Sequence, residues 1–155
     1  MEKKVTDDEY DELLARVQRL DDIEAIKQLR ARYIRWLDTQ DWESFGNEVT
    51  EDYHTETEGG VFDGRDELIA ALSERLAGAR TSHHCHTPEI ILTGPDSASG
   101  VWAMQDHVAM TLNGEEFSFR GCGFYHETYV RTPDGWRISS TVLQRLSVTP
   151  LSAGQ

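Results

Sequence analysis

Thr81-Ser82-His83-His84-Cys85-His86-Thr87-Pro88-Glu89-Ile90-Ile91-Leu92 holds three of the chain's six histidines within four residues, then passes unbroken into an apolar run. A short apolar run bounded by turn signals reads as strand. Alternation then sets His83 and Cys85 on one face and His84 and His86 on the other. The strand is expected over 82–93, turned by Gly94-Pro95-Asp96. The remainder of the chain reads as strand after strand. Residues 97–112 run to Asn113-Gly114, a strong hairpin signal. Residues 117–131 end at Thr132-Pro133-Asp134-Gly135, and 136–148 form the last strand. Gly121-Cys122-Gly123 falls mid-strand and marks a bend in a curved sheet.

Ahead of the histidines the periodicity changes. Over 5–39, Leu13, Leu14, Val17, Leu20, Ile23, Ile26, Leu29, Tyr33, Trp36 and Leu37 recur at steps of three and four, as in a helix. The run is long enough that a break is expected near Asp21-Asp22, leaving 1–20 as a separate extension for packing or oligomer contact. Asp41 is a natural N-cap for a short second helix. Residues 52–58 alternate as a strand, Gly59-Gly60 turns it, and Val61-Phe62 returns. Gly64-Arg65-Asp66 opens a third helix, with Leu68, Ile69, Leu72 and Leu76 as its stripe and Gly78 at its end. Helices first and a strand meander after them predict an α+β domain over 21–150, with helices against one side of a strongly curved, mostly antiparallel sheet. The small, polar tail from Pro150 is expected to fray.

Composition narrows the partners. The 155 residues suit one domain, and no apolar run approaches a membrane span. A net charge of −13 argues against nucleic acid and anionic membrane surfaces and favours small neutral or cationic ligands. Two cysteines and no apolar leader predict a cytoplasmic protein.

Within the strands, Asp106 shares a face with Ala98, Trp102, Met104, Val108 and Met110. A carboxylate in such a row needs a partner. It is either a structural ion pair with an arginine, an exposed residue at a bulge, or a functional acid. Asp38 ends the long helix, where the dipole disfavours it. It is either a solvated turn residue or one held by a donor such as histidine. His84 and His86 could supply half of a zinc site, but no carboxylate is spaced to complete it, so no metal is expected. His54, His107 and His126 are isolated, and Cys122 is a poor candidate nucleophile. No Ser-His-Asp signature, phosphate loop or GxGxxG is present.

Several phrases resemble one family. Ile23-Glu24-Ala25-Ile26-Lys27-Gln28-Leu29 with Tyr33 and Leu37-Asp38, Phe62-Asp63-Gly64-Arg65-Asp66, the histidine run itself, Gly100-Val101-Trp102-Ala103-Met104, Tyr125-His126-Glu127-Thr128-Tyr129 and Asp134-Gly135-Trp136-Arg137-Ile138 are similar to the SnoaL-like group of the nuclear transport factor 2-like superfamily. That resemblance implies a cone-shaped α+β barrel. It is nearest to the branch of bile acid dehydratase, scytalone dehydratase and hexachlorocyclohexane dehydrochlorinase, which eliminate water or HCl with a histidine base oriented by aspartate. Carried over, the base matches His83 and its partner Asp38. The tyrosines match Tyr33 and Tyr53, the mid-strand acid Asp106, and a late arginine Arg145, with Arg131 as competitor. Trp102, Met104, Phe124 and Leu143 are expected to wall an apolar pocket. The implied function is a cofactor-independent lyase of the dehydratase type acting on a small hydrophobic oxygenated molecule such as a steroid, polyketide or terpenoid. A ketosteroid-isomerase-like isomerase, an epoxide hydrolase and a non-catalytic binder are the alternatives. The resemblance also implies a homodimer or homotrimer.

Overall fold

A computed structural model describes residues 6–151. Three helices come first or intervene early: α1 (Asp7–Thr39), α2 (Trp42–Gly46) and α3 (Arg65–Arg75). The six strands are β1 (Val49–Thr57), β2 (Gly60–Asp63), β3 (Arg80–Gly94), β4 (Ser97–Leu112), β5 (Glu115–Thr132) and β6 (Gly135–Leu151). They form one sheet in the order β2-β1-β6-β5-β4-β3. Every pairing is antiparallel except β1 with β6. The sheet is therefore mixed and open, strongly curved rather than closed, with β2 and β3 as edges.

The turn chemistry acts as anticipated. Asp41 caps α2 by accepting from Ser44 N at 3.0 Å. Asn113 and Gly114 both take positive φ, 53° and 84°, as a tight hairpin requires. The bend expected at Gly121-Cys122-Gly123 is a register shift between Cys122 and Gly123 where β5 meets β6. The strands run slightly longer than the sequence pattern implies, and Pro150 and Leu151 belong to β6 rather than to a frayed tail, Leu151 pairing with Ser118. The remaining tail residues lie outside the described range.

α1 does not break at Asp21-Asp22; it is one helix of 33 residues opened by a capping box between Thr6 and Glu9. What changes there is its apolar face. From Leu14 to Leu29 the hydrophobic residues advance by threes, and each such step falls about 60° short of a full turn. The stripe thus winds round the helix, and Val17 and Ile26 point in opposite directions at about 100° per residue. Residues 7–21 are exposed throughout, whereas Asp22, Ile26, Leu29, Arg30, Tyr33 and Leu37 face the sheet. Asp22 marks the transition: its carboxylate accepts from Arg131 Nη2 at 2.7 Å and from Trp136 Nε1 at 3.2 Å.

The main core joins the lower half of α1 to α2, α3 and the inner sheet through Ile26, Leu29, Phe45, Val49, Leu68 and Ile138. A smaller cluster of Trp102, Met104 and Tyr125 continues it along β4 and β5. Between them the concave face of the sheet remains partly uncovered.

Candidate active site

The C-terminal end of α1 meets edge strand β3 through one carboxylate. Asp38 Oδ2 accepts the backbone N–H of His83 at 2.9 Å. Its Oδ1 accepts from His83 Nδ1 at 2.7 Å and from Thr81 Oγ1 at 2.8 Å. These three bonds answer the unfavourable dipole at this helix end. Burial pushes the Asp38 pKa up, but the bonds from His83 and Thr81 more than offset it, so the carboxyl lies below its ordinary value. A carboxylate can only accept, so Nδ1 carries a proton, and whenever the ring is neutral Nε2 is the nitrogen with the lone pair. Nε2 makes no hydrogen bond among the described residues.

His83 opens on a cavity of about 300 Å³ beneath α3. Leu68, Leu72, Val108, Phe119, Tyr125 and Leu143 supply apolar wall. Its polar groups are aligned by the sheet register: His83 sits opposite Asp106, Asp106 opposite Gly121, and Arg145 opposite Gly123. Asp106 is buried and receives two bonds from Arg145, Nη1 to Oδ1 and Nη2 to Oδ2, both 2.8 Å. On its other side Arg145 binds Glu58, Nε to Oε1 at 3.1 Å and Nη2 to Oε2 at 3.0 Å. Its remaining N–H points at Met104 Sδ, 3.7 Å away. All five guanidinium donors are thus engaged, and Arg145 positions two carboxylates rather than offering a free donor. Burial would lower its pKa, but bonds to Asp106 and Glu58 hold it above the ordinary value. Arg131, the competitor, is at the far end of the sheet with Asp22 and Asp96.

Gly121 makes this pairing possible. A Cβ there would come within 3.0 Å of both Arg145 Nη1 and Asp106 Oδ1. Gly121→Ala is accordingly expected to keep the fold but displace the pair. A crystal structure of the variant should show the Arg145–Asp106 bonds lost, with activity reduced at least tenfold.

The two tyrosines separate. Tyr33 lines the cavity, whereas Tyr53 is fully buried behind it. Tyr53 Oη donates to Thr141 Oγ1 at 2.7 Å, and Thr141 donates to Glu127 Oε1 at 2.9 Å. Tyr33 Oη lies 3.3 Å from Tyr53 Oη, long for O–H···O, so its hydroxyl is weakly held and can turn to a ligand. Burial raises both phenol pKa values, keeping them donors.

Of the expected wall, only Leu143 lines the cavity. Trp102 is buried with its indole N–H on Tyr129 Oη at 2.7 Å, and Met104 lies beneath Arg145. Phe124 corrects the expectation: it pairs with Ala103 and Gln144 on the outer face, because Gly121, Gly123 and Tyr125 take the inward positions of β5. His84 and His86 are exposed on the face opposite His83, and among the described residues no group of three His, Cys, Asp or Glu is placed to hold a metal.

Sequence reasoning missed what lies under the floor. Arg30 is buried between the rings of Tyr33 and Tyr125, its guanidinium carbon 4.4 Å from each centroid. Its Nη1 is 2.8 Å from Glu127 Oε1, though off the line of a well-formed hydrogen bond, and Nε has no hydrogen-bond partner among the described residues. Glu127 also accepts from Tyr129.

The SnoaL-like domain profile matches residues 18–142, spanning α1 from before its buried half to the middle of β6. The chain belongs to the SnoaL-like family. It shares the α+β fold of the nuclear transport factor 2-like superfamily. A protein of Gibberella zeae named a probable cyclase is 23% identical over 133 residues, covering 78% of this chain and 89% of that one. A hexachlorocyclohexane dehydrochlorinase of type 2 superposes with TM-score 0.78 at 18% identity, over 88% of this chain and 93% of that one. A Novosphingobium aromaticivorans structure provisionally named a scytalone dehydratase gives TM-score 0.76 at 20% identity, over 87% and 91%. These structural likenesses are of fold. The three proteins carry enzyme names: cyclase, dehydrochlorinase and dehydratase.

Proposed function

We propose that this SnoaL-like protein is a cofactor-independent lyase that removes water from a small hydrophobic β-hydroxy carbonyl compound. The observation that carries the reading is the His83–Asp38 pair at 2.7 Å, with the opposite ring nitrogen unengaged beside an apolar cavity. His83 Nε2 takes the proton from the carbon next to the carbonyl. Asp38 fixes the tautomer and stabilises the imidazolium. Tyr33 turns its hydroxyl to the carbonyl oxygen as enolate charge develops. The enolate re-forms the carbonyl, the C=C bond forms, and the C–O bond to the β-hydroxyl breaks. The departing hydroxide takes the proton back from His83 and leaves as water, with Asp106 receiving it through a hydrogen bond. Nothing is oxidised or reduced.

The cavity sits at the small end of the roughly 300–1,000 Å³ common for ligand sites, favouring one- or two-ring polyketides and terpenoids over four-ring steroids. An isomerase using Asp106 as base is less well supported, since both its oxygens already accept from Arg145. The test is incubation in D₂O with a panel of cyclic β-hydroxy ketones. The expected result is enone absorbance and deuterium at the α-carbon of recovered substrate. Saturable binding of such ketones with neither exchange nor enone would leave a binding protein instead.

A further inference from the structure

The exposed first half of α1 has an occupant written into its own sequence. Residues 7–21 are exposed along their whole length, and an isolated helix of about 15 residues is marginal in water. Yet this segment carries Tyr10, Leu13, Leu14, Val17 and Leu20, each at least half exposed: 58%, 50%, 50%, 52% and 67%. Because the stripe winds by steps of three, it faces away from the domain that α1 anchors. Tyr10, Leu13, Val17 and Leu20 fall on alternating steps of three and four, the a and d positions of two heptads. A β-branched residue at a and leucine at d favour two parallel strands. The seam stops where the next a and d positions are Glu24 and Lys27, which pair with each other at 3.5 Å.

Charge fixes the direction. Side by side and parallel, Arg16 at g faces Asp21 of the second copy at the following e position, and the reverse pair forms by symmetry. Reversing one helix with the apolar layers in register would instead bring Arg16 against Arg16. Parallel pairing also keeps the two domains apart, since each hangs from the outer side of its helix.

We infer that residues 7–21 form a parallel, two-stranded coiled coil with the same segment of a second copy, making the protein a homodimer joined through its helical extension. The arrangement is independent of the chemistry proposed above. Sedimentation equilibrium on the full chain is expected to give twice the monomer mass, and Leu13→Glu/Val17→Glu to give the monomer with unchanged thermal unfolding of the domain. Arg16→Glu should weaken the dimer at least several-fold and Arg16→Glu/Asp21→Arg restore it. With Cys85 and Cys122 replaced by serine, Leu20→Cys should oxidise to a covalent dimer. A wild-type monomer at high micromolar concentration, a trimer, or a dimer indifferent to Leu13→Glu/Val17→Glu would overturn the inference. So would failure of Leu20→Cys to crosslink while Tyr10→Cys/Leu20→Cys does.

Discussion

His83→Ala is expected to lower turnover by roughly 10²–10⁴, the range a positioned general base contributes, while the melting temperature moves by no more than a few degrees. The ring stands at the cavity edge rather than in the main core, and its side chain is 12% exposed. Its removal opens space toward solvent rather than a sealed void. Asp38→Asn should reproduce most of the loss by a different route. An amide can donate where the carboxylate only accepts, so Nδ1 becomes the acceptor and the proton moves to Nε2, the nitrogen meant to receive it. Binding of a product enone should survive in both variants, because the apolar wall from α3, β4 and β5 is untouched. Steady-state rates, inhibition by the enone and thermal melts on the same preparations separate the cases. Wild-type turnover in His83→Ala would eliminate the proposed mechanism, and a collapse of both rate and melting temperature would reassign the dyad to structure.

The dyad is readable in the sequence because each half breaks a local rule. Asp38 sits where the helix dipole disfavours it, and His83 shares a strand face with the inward apolar residues. Asp106 breaks a rule in the same way, and its arginine partner is fixed once β6 is placed. The questions the sequence leaves open are ones of distance along the sheet: Arg145 and Arg131 have equal chemistry, and only the register puts the first beside Gly121 and Asp106. Phe124 misleads because apolarity alone does not choose a strand face, whereas the inward glycines flanking Cys122 do. The continuous α1 is hidden for a similar reason. Counting threes and fours recovers a helix but conceals that consecutive threes rotate the stripe. Arg30 and Glu127 are legible and easily overlooked: Arg30 follows Leu29 on the buried arc of α1, and Glu127 alternates with Tyr125 and Tyr129. Two opposite charges on two inward faces imply a buried pair.

That pair carries the largest expected effect on stability. Arg30→Met and Glu127→Gln are each expected to cost about 3–5 kcal/mol, since each leaves its partner charged and without compensation in the interior. For a domain of this size the melting temperature should fall by roughly 6–20 °C. Thr141 and Tyr129 donate to different oxygens of Glu127, so glutamine keeps an acceptor for only one of them and the Glu127 variant loses a hydrogen bond along with the charge. Methionine keeps a flexible apolar stem between the rings of Tyr33 and Tyr125 but forfeits the cation, worth about 0.5–2 kcal/mol per ring. The double variant Arg30→Met/Glu127→Gln removes both charges and should recover most of the loss, lying well above the sum of the singles in a denaturant cycle. Additive singles would show that the two charges do not compensate each other. The consequence reaches the cavity. Glu127 terminates the chain of donors from Tyr53 through Thr141, and Arg30 stacks on the ring of Tyr33. The single variants should therefore lower turnover even at temperatures where they remain folded. The double should regain stability before it regains rate, because the neutral floor restores the packing but not the field beneath Tyr33.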